Sequence, residues 1–131
     1  MPRNTQPVGR VERHAFEFRA DARGVFAPMG LIISGCVLAL STRPLGAAMS
    51  DFDVRLLDAA GDDVLYGCGA NRRGDGVQRS IVRMPKKSKT ERDRHPRVEP
   101  GELLRLVITG NTEADARLSL HLFVATDDGS E

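Results

Sequence analysis

At 131 residues the chain fits one domain and is long enough to bury roughly two thirds of the surface its unfolded form exposes, so disulfides or metals are not required to hold it. Aromatic residues are only 5%, with no Trp and a single Tyr66, which leaves little for a sugar-stacking or base-stacking platform. The net charge of +1 hides a division: residues 72–97 hold ten basic side chains against three acidic ones, a surplus of +7, and the remainder carries −6.

Residues 1–10 contain Pro2, Pro7 and Gly9 with almost no apolar content, which predicts an extended arm outside the core. The opening also lacks the apolar segment of a signal peptide, so a chain that is not secreted is expected. A first strand is predicted over 11–19, with Phe16 and Phe18 on one face, and residues 20–24 break it. The run 30–41 reads as one strand buried on both faces, with Leu31, Ile33 and Val37 on one side and Ile32, Leu38 and Leu40 on the other. Gly35 inside it signals a bulge or a close neighbour. This is the most apolar stretch, and it is about half the length of a membrane span.

After a Pro44- and Gly46-containing connection, 51–57 alternates as a third strand, and the turn at 58–62 leads into Val64, Leu65 and Tyr66 as a hairpin partner. Four glycines loosen the following loop. Residues 77–84 then alternate as a strand whose polar face is basic, with Arg79 and Arg83 on it. From Pro85 to Pro96 no apolar residue occurs, so that stretch is a solvated or partner-bound loop. Finally 103–109 and 116–126 read as two strands of a hairpin around Gly110, Asn111, Thr112 and Glu113, with Leu118, Leu120, Leu122 and Val124 forming one apolar row. Leu104, Leu106 and Ile108 are expected to share that core. No segment has a helical period. The fold class is therefore all-β, an antiparallel β-sandwich with jelly roll as one option, comprising an arm at 1–10, a single domain at 11–126 and a short polar tail at 127–131.

Few residues suggest chemistry. The aspartates around Asp58, Asp62 and Asp63 do not follow an EF-hand spacing and suit hairpin turns for backbone reasons, so no metal is expected. Arg73, Gly74 and Asp75 form a tripeptide too short to carry a claim. His14, His95 and His121 have no ligand or triad spacing, and Ser34 and Ser80 lie inside strands rather than on a nucleophile elbow. Cys36 and Cys68 are expected to stay reduced in the absence of a secretory signal. The reading is of a protein that is not an enzyme, with no catalytic residue and no cofactor.

The basic stretch is the feature that exceeds what a solvated face needs, and it points to an acidic partner. The candidate partner-binding residues are Arg3, Arg10, Arg72, Arg73, Arg79, Arg83, Lys86, Lys87, Lys89, Arg92, Arg94 and Arg97. Without aromatic interleaving or a recognition helix, a protein partner is favoured over nucleic acid, because the acidic remainder of a neighbouring copy offers a complementary surface. The alternative is a stand-alone nucleic-acid-binding or ligand-binding β module that uses 72–97.

At 51–72 the run Asp-Phe-Asp-Val-Arg-Leu-Leu-Asp-Ala-Ala-Gly-Asp-Asp-Val-Leu-Tyr-Gly-Cys-Gly-Ala-Asn-Arg resembles a segment of small β-sandwich virion proteins of tailed bacteriophages. The similarity extends to Glu-Pro-Gly-Glu-Leu at 99–103 and Gly-Asn-Thr at 110–112, covering about half the chain. It implies a structural protein of a bacteriophage virion, of the capsid decoration, head-spike or tail-associated type, made in the host cytoplasm. Such a protein would be a homo-oligomer, a trimer being one form, anchored to the major capsid protein or to neighbouring copies through its arm and basic loop, with no membrane involved. The basic 85–97 loop departs from the pattern.

Overall fold

The computed structural model describes residues 10–86, 88, 90 and 94–126. Eight strands run in chain order: β1 (Val11–Arg19), β2 (Met29–Ile32), β3 (Gly35–Leu45), β4 (Asp53–Leu57), β5 (Gln78–Ile81), β6 (Arg97–Val98), β7 (Leu103–Thr109) and β8 (Arg117–Ala125). They form two antiparallel sheets, and no helix occurs among the described residues. The larger sheet has the order β1-β8-β3-β5, with β6 pairing the start of β3, and the smaller has the order β2-β7-β4. The two sheets face each other as a β-sandwich. Leu104, Leu106 and Ile108 from the smaller sheet meet Leu118, Leu120, Leu122 and Val124 from the larger in one core, joined by Val37, Leu40, Phe52, Val54 and Leu56.

Two expectations are corrected by this topology. The 103–109 and 116–126 runs are not a hairpin: β7 pairs β2 and β4, whereas β8 pairs β1 and β3. Their apolar rows face each other across the core instead of lying side by side. The link between them is an arch pinned by Asn111, which is buried and donates its Nδ2 to Gly24 O at 2.9 Å and to Glu113 O at 3.0 Å, while its Oδ1 accepts from Ser50 N at 3.2 Å. Those bonds hold the turn to two other loops and leave it no freedom to close on itself. Likewise Val64, Leu65 and Tyr66 are a chain of turns, not a strand, with Asp63 bridging Leu57. The Asp63 carboxylate accepts from the amides of Leu56, Leu65 and Gly67, and so outcompetes a ladder.

The expected strand at 30–41 is broken at Gly35, where the chain leaves the smaller sheet and enters the larger one. Gly35 has φ of 118°, and a Cβ there would lie 2.3 Å from Ala125 O, so only glycine permits the crossing. The expected 51–57 and 77–84 strands are shorter, at Asp53–Leu57 and Gln78–Ile81. The 63–72 loop lies along the outer edge of β4. Val54 N donates to Gly69 O at 2.8 Å, Phe52 N to Arg72 O at 3.0 Å, and Arg72 N to Phe52 O at 2.7 Å. This edge is therefore covered without a further strand.

Candidate functional site

Paired residues of neighbouring strands share a face, so the ladders of the larger sheet define its solvent side row by row. One row reads Arg13, Phe123, Ala39, Ile81, and the next Ala15, His121, Ser41, Arg79. The third holds Glu17, Ser119 and Arg43, and the fourth Arg19, Arg117 and Leu45. One arginine from each of four strands thus forms a diagonal stripe: Arg19 on β1, Arg117 on β8, Arg43 on β3 and Arg79 on β5. Arg19 and Arg117 are directly opposite. Arg117 to Arg43 and Arg43 to Arg79 are diagonal neighbours, spaced about 7–8 Å between backbones.

Such a stripe opposes folding. Like charges directly opposite on a sheet are destabilising, and two unit charges about 8 Å apart repel by about 0.5 kcal/mol even in water. Compensation within the chain is thin. Arg19 reaches Asp115 at 4.0 Å, and the Arg79 guanidinium lies 4.4 Å above the Phe123 ring. Among the described residues no carboxylate makes an ion pair with Arg13, Arg43, Arg79 or Arg117. His121 stands in the middle of the face, with its Nε2 3.3 Å from Ser119 Oγ and its ring 6.4 Å from that of Phe123.

Of the candidate residues, Arg79 lies in the stripe and, with Arg83, lines a hollow beside Ile81 and Phe123. Arg10, Lys86, Arg94 and Arg97 are exposed, Arg97 being paired with Glu99 at 3.5 Å. Arg73 is exposed and ion-paired with Asp75 at 3.1 Å. Arg3, Lys87, Lys89 and Arg92, like the rest of the arm up to residue 9 and the tail at 127–131, lie outside the described residues. Arg72 is a correction. It is fully buried, donating Nε to Thr42 Oγ1 at 3.1 Å, Nη1 to Ser80 Oγ and Cys68 O, and Nη2 to Gln78 O. Burial pushes its pKa below the usual arginine range. It ties the 63–72 loop to β3 and β5 and presents nothing to a partner. Arg13 and Arg19 on β1, Arg43 on β3 and Arg117 on β8 are not among the candidates, because they are scattered along the chain and form no basic cluster in sequence.

A second concavity, a cleft of about 880 Å³, opens between the 58–66 turns and the 94–98 segment, with Asp58, Asp63, Tyr66, His95 and Glu102 on its walls. Its polar groups are largely engaged in structure. Asp58 accepts from the amides of Ala60 and Asp62, Asp63 from three amides, and His95 Nδ1 lies 2.6 Å from Val82 O. Among the described residues no group of three His, Cys, Asp or Glu side chains is placed to hold a metal ion. Cys36 and Cys68 are both free thiols.

Comparison with protein-family models, with curated proteins and with solved structures finds no match.

Proposed function

We propose that this protein is a non-enzymatic structural component of a bacteriophage virion and that it holds an acidic neighbouring protein through the outer face of its larger sheet. The arginine stripe carries the reading. Four strands each spend a solvent-facing position on a cation that costs the fold free energy, which is offset when carboxylates lie across it. A flat sheet face suits a protein surface better than a nucleic-acid groove, and Phe123 lies under Arg79 instead of standing open for a base.

The test is proteomics of purified particles from the host that carries the gene, with wild type and with Arg43→Glu/Arg79→Glu/Arg117→Glu. Wild type should co-purify with particles and detach as salt rises, because attraction between exposed charges fades over a Debye length of about 8 Å at physiological ionic strength. The triple reversal should fold and be missing from them. Wild type found solely outside particles would overturn the virion reading. DNA binding with a steep salt slope, lost in the triple variant, would transfer the stripe to nucleic acid.

A further inference from the structure

The two sheets are not equally protected at their edges. β4 is covered by the 63–72 loop, and β2 and β5 have four residues each. β1 is nine residues long and, among the described residues, pairs only β8. Its hydrogen-bond phase follows from its two ends. Thr126 N donates to Arg10 O at 2.7 Å, and Ala20 N donates to Ala116 O at 2.8 Å, so the even-numbered residues bond β8. The amides and carbonyls of Val11, Arg13, Ala15, Glu17 and Arg19 therefore point away from the sheet, and all five residues are exposed. A long edge in this state is a template for another strand.

The side chains along this edge select the strand. We infer that β1 pairs antiparallel with β1 of a second copy, about a two-fold axis at Ala15. In that register Ala15 faces Ala15 of the partner, and the small methyls let the backbones close on the axis. Arg13 then lies directly opposite Glu17, and by symmetry Glu17 opposite Arg13, on the outer face. Neighbouring registers fail this test of charge. Centring on Arg13 or on Glu17 sets like charges on the axis, and centring on Phe16 brings Arg13 against Arg19. Centring on His14 leaves both Arg13 and Glu17 without an opposite charge. On the inner side Phe16 and Phe18, half-buried in the single chain, gain the partner's β1 as cover. An isologous contact of this kind closes at two copies.

The inference is independent of what the arginine stripe binds, since three of its four arginines, Arg43, Arg79 and Arg117, take no part in the pairing, and Arg19 at the end of β1 lies opposite Val11 in it. Sedimentation velocity or light scattering of the full chain should give twice the chain mass of 14.3 kDa. Arg13→Glu alone and Glu17→Arg alone each turn two attractive contacts into two repulsive ones, and each should weaken dimerisation by at least about tenfold. The exchange Arg13→Glu/Glu17→Arg should restore it. Ala15→Pro removes an amide that faces outward and no bond to β8, so it should give a folded monomer. A wild-type monomer at all concentrations, a trimer or larger closed form, or an exchange variant no better than the single reversals would overturn the pairing.

Discussion

Arg72→Met is the substitution with the largest consequence that sequence inspection would not foresee. Methionine fills similar space without charge, so the change isolates the guanidinium's hydrogen bonds from its volume. The fork serves Thr42 Oγ1, Ser80 Oγ, Gln78 O and Cys68 O, and both Thr42 and Arg72 are fully buried. Losing the donors takes a charge-assisted hydrogen bond from the buried Thr42 hydroxyl and another from the part-buried Gln78 carbonyl, which keeps its ladder pairing with Thr42, at about 1.5–3 kcal/mol each. Relief of the desolvation cost of a buried cation acts in the opposite direction and returns part of this. The net expected loss is about 2–4 kcal/mol, which for a chain of this length lowers Tm by about 10 °C. Urea unfolding should show a lower midpoint with unchanged slope, since the same surface is exposed on unfolding. Arg72→Lys should fall at least as far, because the ammonium is more strongly hydrated and lacks the planar fork. A midpoint equal to or above wild type for Arg72→Met would refute the reasoning and show that desolvation outweighs the bonds.

Two further outcomes concern the core and the first turn. Leu120→Ala should cost about 2–5 kcal/mol in urea unfolding, since Leu120 is fully buried between β1 and β3, and a cost near zero would contradict its placement. Asp21 accepts the amides of Val25 at 2.9 Å and Arg23 at 2.8 Å, and these donors hold its carboxyl below the usual range. A depressed folded pKa stabilises the fold above the unfolded value and is lost as pH falls through the folded one. The stability difference between wild type and Asp21→Ala should therefore shrink on going from about pH 6 to about pH 3, measured by thermal unfolding at each pH. A difference that stays constant would remove the ionised carboxylate from the account.

The alternation of apolar and polar residues made the strands legible, and β1 and β7 have the bounds the pattern gives. Gly35 was legible as a close approach because glycine inside an apolar run has few other uses. What alternation cannot carry is the identity of a strand's neighbour. A period of two assigns Leu104 and Leu120 to an inner face, but it is equally satisfied by strands side by side and by strands facing across a core. The arch at Asn111 decides between them through bonds to residues far away in sequence. The stripe was hidden for the same reason: counting charge along the chain finds the dense segment at 72–97, whereas Arg19, Arg43, Arg79 and Arg117 become neighbours only through pairing. Counting also treated Arg72 as surface, since nothing in the local sequence marks an arginine whose acceptors come from three separate segments.

The arginine stripe and the open edge bear on each other through symmetry. Antiparallel pairing of β1 with its copy places a two-fold axis perpendicular to the sheet, so the outer faces of both larger sheets lie on the same side. The stripe begins on β1 with Arg19 and runs across the sheet to Arg79, and the dimer therefore carries two stripes on one continuous surface. Arg13 and Glu17 neutralise each other at the centre of the seam, and Arg19 at each of its ends belongs to the stripes, so the cations are concentrated to either side of that centre. A partner with repeated acidic patches would meet two sites on one rigid body, and its second contact would form at high effective concentration without any new interaction. Individually weak, solvent-exposed charge contacts of about 0–1 kcal/mol become sufficient for stable attachment in that arrangement. Repeated acidic neighbours are what a symmetric shell supplies.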